Sequence, residues 1–343
     1  MAAGTAADSF LLGQNHLGAL GYDAFVHEPR LKAVSEDSNR LHRLKWNLRE
    51  ALVPWELRNT DVVVTALPNL LPLSARVRRR PKVVVLDFAL STMLDRRSGP
   101  ARRLLEASLR SSAAIACLSE VQRERLLDRL DLDPGRVHAV LLGIDHTFLE
   151  PSHEPAARPY VLAVGKDLAR DYRTLADAAA TVDVPFVLVT EPRNVRGVDL
   201  PENVTVRRGL PYSELRDLYA GAACVVLPVR SPGYEYGTEG GGLTALLEAM
   251  AMGKPIVVSG RPIFTEYVRD GASAVLVPPE DVTALARALN GLLADPDGAA
   301  RLGRAARATV EERHTMPLFA ARLAEVLGRV TRQAGVADAR RKN

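Results

Sequence analysis

The sequence predicts an α/β fold with parallel sheets, laid out as two domains. Short apolar runs of strand length alternate with helix-length amphipathic stretches along most of the chain. Proline and charge thicken at Pro151, Pro155 and Pro159, which reads as a linker between two alternating halves. The 343 residues suffice for two domains, each with its own core.

In the first half, 6–20 reads as a helix, 22–27 as a strand and 40–52 as an amphipathic helix. The valine-rich runs 61–66 and 82–86 read as buried strands. A basic helix over 101–111, a strand over 113–119, a helix over 120–130 and a strand over 137–142 complete this half. A doubly wound nucleotide-type domain opens with an apolar strand and a glycine turn. This chain opens with Met1-Ala2-Ala3-Gly4-Thr5 directly before a helix, so the expected first strand of the N-terminal domain is missing from the pattern: either the start is placed too late or this half has lost an edge or inner strand. Loss of an inner strand would leave its neighbours' backbone groups without partners.

The second half begins with an apolar strand, 160–165, that ends in Gly165 and leads to the cations Lys166 and Arg170. Strands follow at 185–190 and 204–206, a helix at 212–219, and a strand at 222–228 that runs into the loop 234–242. Next comes the stretch 240–253, GGGLTALLEAMAMG. Its three glycines loosen the backbone at the mouth of a helix. Leu243, Leu246, Leu247 and Met250 recur at helical spacing, Gly253 ends the helix, and Pro255 blocks continuation. A glycine loop feeding a helix start is an anion site, because unpaired N–H groups and the helix dipole point outward there. Glu239 and Glu248 flank it. Phosphate on the amides and hydroxyls on the carboxylates would suit a nucleotide sugar. Strands at 256–258 and 274–279, a helix at 281–293 and an amphipathic helix at 318–330 follow. The polar, basic end at 337–343 is expected to fray.

The stretch 239–257 resembles the donor-site signature of retaining glycosyltransferases of family 4. That signature is a glutamate before Gly-x-Gly-Leu, a second in Leu-Glu-Ala-Met, then Gly-x-Pro-Val-Val. Gly240-Gly241-Gly242-Leu243, Leu247-Glu248-Ala249-Met250 and Gly253-Lys254-Pro255-Ile256-Val257 match it. The segment 142–151 resembles the family's Gly-Val-Asp-x-x-x-Phe-x-Pro hinge. Glu266, ahead of Val268-Arg269-Asp270-Gly271, sits at a family glutamate, and a helix-surface carboxylate is the other reading of it. One spacing departs: the family's glutamates lie eight apart, whereas Glu239 and Glu248 lie nine apart and Gly240 holds the usual acidic position. Either Glu239 reaches in through a looser turn or another group takes over its contact.

The resemblance implies a GT-B fold, two Rossmann-like domains facing across a cleft. Residues 1–152 would form the acceptor-binding domain and 153–315 the donor-binding domain. Residues 316–330 would cross back as a helix, and 331–343 would form a flexible tail. It also implies a cytoplasmic, retaining hexosyltransferase that takes its sugar from a nucleoside-diphosphate sugar. Lys166 and Arg170 fall where the family's arginine and lysine grip the diphosphate. A solvated charged loop is the plainer alternative, but strand-glycine-cation puts both charges at the carboxyl end of a sheet, where such folds bind ligands. The donor set is then Gly165, Lys166, Arg170, Glu239, Gly240, Gly241, Gly242, Leu243, Thr244 and Glu248. Glu239, Lys166 and Arg170 would be catalytic, and Glu248 would accept ribose hydroxyls. Glu239 is equally readable as a loop charge, with Glu235 a weaker competitor. On the acceptor side, Asp87 at a strand end and His16 are candidates, each as readily structural as functional.

No cofactor and no metal is expected, since the sequence shows no cluster of Cys and His or paired aspartates. Cys117 and Cys224 lie in strand-like apolar runs and read as buried thiols of a reducing compartment. No apolar run is long enough to span a bilayer, and a net charge of +4 does not argue for nucleic acid. Between Arg76 and Arg110, ten Lys or Arg face three acids. Peripheral contact with an anionic membrane at its inner face is one reading of that cluster, and a solvated loop the other. Two further functional readings stand beside transfer: a degenerate nucleotide-sugar-binding protein without turnover, and a nucleotide-sugar epimerase on the same fold.

Overall fold

A computed structural model describes residues 12–27, 50–66, 70–78, 80–151, 159–234 and 236–342, with side chains to Arg332. The chain divides into two compact units. One is built mainly of Leu142–Phe319, the other of Gln14–Leu141 with Ala320–Asn343.

The unit holding Gln14–Leu141 carries a parallel sheet of four strands, β1 (Val62–Thr65), β2 (Lys82–Asp87), β3 (Ala114–Cys117) and β4 (Val137–Ala139). They lie in the order β1-β2-β3-β4, with Val63 opposite Val83 and Leu86 opposite Ala116. β3 is buried throughout, as a parallel strand covered on both faces must be. Its core gathers Val83, Val85, Leu105, Leu109, Ile115 and Leu126. Each strand lies beside its predecessor, so the described part of this sheet has no point where strand order reverses. No described residue pairs ahead of β1, and Val64 on that edge is 37% exposed.

The strand expected at 22–27 is not one. Residues 14–20 form a short helix and a 3-10 turn that Gly21 ends at φ 84°, and 22–27 run on without joining a sheet. Phe25 and Val26 are exposed, so this run has no apolar face to bury, and the Tyr22 hydroxyl instead donates to Ala324 O at 2.9 Å. Of the helix expected at 40–52, residues 40–49 lie outside the described residues and 50–56 are helical.

The Leu142–Phe319 unit has six parallel strands: β5 (Val161–Val164), β6 (Phe186–Val189), β7 (Val204–Arg207), β8 (Cys224–Leu227), β9 (Ile256–Ser259) and β10 (Val275–Val277). Their order is β10-β9-β8-β5-β6-β7, so it reverses between β5 and β8. A ligand crevice forms at the carboxyl ends flanking such a reversal. The β5–β8 ladder is registered only at Val161↔Cys224 and Leu162↔Val225. The loops after these strands are tied instead by Asp171 N–H to Pro228 O at 3.0 Å and Arg230 N–H to Ala169 O at 2.8 Å.

Residues 142–151, read from the sequence as the end of the first domain, belong to this unit, so the division falls at Leu142 and not at 153. Leu142 N–H donates to the Tyr267 hydroxyl oxygen at 2.9 Å, and Arg307 Nη1 donates to the carbonyls of His146 and Leu149 at 2.9 Å. A Cβ on Gly143 would lie 2.5 Å from Thr315 O, so only glycine permits that approach. The last helix is also longer than expected. It runs Met316–Lys342 without a break at 331, and the chain changes units within it at Phe319–Ala320. Leu323, Val326, Leu327 and Val330 are buried on its face. Among the described residues no helix is long and apolar enough to cross a membrane.

Candidate donor site

β5 ends in Gly165, whose φ of 150° suits glycine, and whose carbonyl accepts from the hydroxyls of Tyr172 at 2.6 Å and Thr190 at 2.7 Å. A Cβ there would lie 2.2 Å from Arg170 Nε, so the guanidinium lies directly across the glycine. The same guanidinium stands 3.3 Å from the Cβ position of Gly242, the left-handed N-cap of helix Leu243–Ala251. Arg170 is buried, and its Nε and Nη1 have no hydrogen-bond partner among the described residues. The helix start has no side-chain cap. Its first-turn amides lack intrahelical partners and carry the positive end of the dipole. A buried cation against a positive helix end is repulsive, and its unsatisfied N–H groups are costly. An anion placed between them would relieve both.

Lys166 is exposed beside it, and Arg193 Nη2 donates to its carbonyl at 3.4 Å. Asp167 fastens the two loops together. Its Oδ1 accepts from Ala169 N–H at 2.8 Å and Thr238 N–H at 3.2 Å, and its Oδ2 from the Thr238 hydroxyl at 2.9 Å. The glycine-rich loop then turns tightly, with Gly241 N–H to Thr238 O at 3.0 Å and Leu243 N–H to Gly240 O at 3.1 Å. Glu239 is buried within that turn, while Thr244 is exposed in the first helical turn.

Glu248 lies in the second turn of this helix and is buried. Its Oε1 accepts from the Tyr212 hydroxyl at 2.7 Å and its Oε2 from the Tyr219 hydroxyl at 2.8 Å. Burial pushes its pKa up, against the two phenols and Arg170, which pull it down. Burial likewise raises both phenols, and Glu248 raises them further. Each carboxylate oxygen has a second lone pair, so the phenols orient Glu248 without using up its acceptor capacity. Tyr212 is itself stacked on Phe148 at 5.4 Å.

The donor-side residues named from the sequence are thus gathered in the loops after β5 and β8 and at the helix that follows. Glu266 is half-buried in the turn Phe264–Glu266. The two acceptor-side candidates belong to the other unit. Asp87 is fully buried at the end of β2, where its Oδ1 accepts from Leu90 N–H, the first amide of the next helix, at 2.8 Å. His16 is half-buried, 3.4 Å from Asn15 Nδ2. No group of three or more His, Cys, Asp or Glu among the described residues is arranged to hold a metal. Sequence reasoning missed Asp167, Thr238, Tyr212 and Tyr219. The tyrosines did leave a signal, since their spacing of seven puts both on one face of helix Tyr212–Gly221.

A parallel sheet whose strand order reverses between β5 and β8, on one chain with a second parallel sheet, is the GT-B kind of α/β protein. Solved structures share that fold. Sucrose-phosphate synthase from Thermosynechococcus elongatus aligns with a TM-score of 0.73 at 22% identity, over 95% of this chain and 92% of that one. HepE from Anabaena, in complex with UDP and glucose, aligns with a TM-score of 0.70 at 17% identity, over 86% and 84%. In sequence, residues 193–309 match the family described as "Glycosyl transferases group 1". The GDP-mannose-dependent alpha-(1-6)-phosphatidylinositol monomannoside mannosyltransferase of Mycolicibacterium smegmatis is 36% identical over 149 residues, 43% of this chain and 39% of that protein. The chain therefore matches less than half the length of that curated relative. The match to that family lies in the Leu142–Phe319 unit, and the solved structures share the GT-B fold.

Proposed function

We propose that the chain transfers a sugar, with retention, from a nucleoside-diphosphate sugar to an acceptor hydroxyl. The observation that supports this is the buried Arg170 guanidinium, with two unpartnered nitrogens, between Gly165 and the uncapped helix at Gly242. As the bond to the sugar breaks, negative charge grows on the leaving diphosphate. Arg170, Lys166 and the amides near Gly242 to Thr244 stabilise it from fixed positions, where solvent need not reorganise. Glu248, oriented by its two phenols, accepts the ribose hydroxyls. Glu239 accepts hydroxyls of the transferred sugar and holds it in line. Inversion would call for a general base on the acceptor side, and full burial leaves Asp87 poorly suited to it.

The relatives' names point to two donor classes, GDP-mannose for the mycobacterial enzyme and UDP with glucose for HepE. GDP and UDP, with their hexoses, are therefore the first ligands to test. We place the enzyme in the cytoplasm, which suits the buried thiols Cys117 and Cys224. An acceptor at an anionic membrane surface fits the arginine-rich region, where Val77 is 82% exposed and the Arg78 guanidinium lies 4.4 Å over the half-exposed Trp55 ring.

Calorimetry tests the phosphate grip. Lys166→Ala and Arg170→Ala should each weaken binding of the bare diphosphate about ten-fold or more, the size of a lost charge-assisted hydrogen bond. Unchanged affinity in both variants would overturn the assignment.

A further inference from the structure

We infer that Asp167 is a positioning residue for the diphosphate grip: it sets Arg170 and the glycine-rich loop in one geometry. This rests on the donor-site reading of the proposed function. The carboxylate works on two segments that lie far apart in the chain. On its own side, Oδ1 accepts from Ala169 N–H at 2.8 Å and the Asp167 carbonyl accepts from Arg170 N–H at 3.1 Å. These bonds curl the backbone so that the guanidinium turns back over Gly165. On the other side, Oδ1 and Oδ2 hold the amide and hydroxyl of Thr238 at 3.2 and 2.9 Å, one residue ahead of Glu239.

The glycines around this carboxylate show that the contact is built into the fold. A Cβ on Gly237 would lie 2.4 Å from Asp167 Oδ1, and one on Gly241 would lie 2.7 Å from its Cγ. Both glycines leave the room the carboxylate occupies, on either side of the residue it grips. Asn194 Nδ2 donates to the Asp167 carbonyl at 2.9 Å and fixes the same turn from outside. Asp167 offers no donor to a phosphate and would repel one, so its contribution to affinity must pass through the groups it orients.

A double-mutant cycle read by calorimetry with GDP and UDP tests this. Asp167→Ala should lower diphosphate affinity about ten-fold. On an Arg170→Ala background the same change should cost clearly less than in the wild type, because one of the two groups it positions is gone and only its hold on the glycine-rich loop is left to lose. Asp167→Asn keeps an acceptor for both amides and should recover most of the affinity. Thr238→Val removes only the hydroxyl bond and should lower turnover more than diphosphate affinity, since it loosens the loop that carries Glu239. Additive losses in the cycle, or full affinity in Asp167→Ala, would overturn the inference while leaving the donor site standing. No binding of either diphosphate by the wild-type protein would overturn both. Near-ultraviolet circular dichroism identical to wild type keeps the Thr238→Val and Asp167→Asn results decisive if Asp167→Ala does not fold.

Discussion

A carboxylate enclosed by two phenols ionises at a cost, and for Glu248 that cost makes stability depend on pH. Its pKa is raised by burial above the ordinary 4.5, so the native protein keeps this proton to a higher pH than the unfolded chain does. In that window the native state binds more protons, so stability falls as pH rises through it and does not return above it. Glu248→Gln removes the effect. In urea titrations from about pH 4 upward, wild-type stability should fall relative to Glu248→Gln. A constant difference would show that burial is not setting this group. The two glutamates should also fail differently in catalysis. Glu248→Gln should weaken the sugar donor and bare diphosphate alike, because both carry the ribose. Glu239→Gln should spare diphosphate affinity and lower kcat, because an interaction made with the transferred sugar in the transition state appears in turnover. Full turnover in Glu239→Gln would reduce it to a loop charge. At this scale the sequence was informative where chemistry is local: the cations follow the glycine-ended strand β5, and the glutamate of Leu-Glu-Ala-Met lies in the helix after the glycine-rich loop, as read. It was silent on Asp167 and Thr238, because they pair across 71 residues and neither has a local pattern that announces the other.

The helix Leu243–Ala251 depends on neighbours that hold its far end. Lys254, half-buried, donates through Nζ to the carbonyls of Ala220 and Ala222, at the end of the helix that carries both phenols. Burial lowers its pKa. Lys254→Met should cost about 1–3 kcal/mol in urea unfolding, from the carbonyls left without a donor. Helix Pro296–Arg313 packs across the same end, and a Cβ on Gly303 would lie 2.1 Å from Gly253 O. Gly303→Ala should therefore destabilise by about 1–3 kcal/mol through overpacking, despite alanine's better helix propensity. A stabilised Gly303→Ala would mean that the helices separate at little cost. The helices were legible from periodicity. The strand expected at 22–27 was not a strand, because apolar residues without an inner face do not bury. The break expected at 331 was not there either, because polar helix formers continue a helix as readily as they fray.

For the molecule as a whole, alternation of strand and helix was enough to read two parallel α/β units, because period and length survive without knowledge of contacts. Strand order was not legible from one sequence, yet it is the reversal between β5 and β8 that brings Arg170, in the loop after β5, beside Val229 in the loop after β8. In the proposed reaction side chains and amides supply the positive charge, so transfer should persist in chelator. Turnover lost in chelator and restored by magnesium or manganese would refute this. The helix Met316–Lys342 sets the order of assembly. Leu142–Phe319 is nearly continuous in sequence, whereas the other unit needs both Gln14–Leu141 and Ala320–Asn343. During synthesis the donor unit can close as soon as it clears the ribosome. The unit made before it receives its last segment, in which Leu323, Val326, Leu327 and Val330 are buried, only after Phe319 has been made. The unit begun first is thus the one whose chain is completed last.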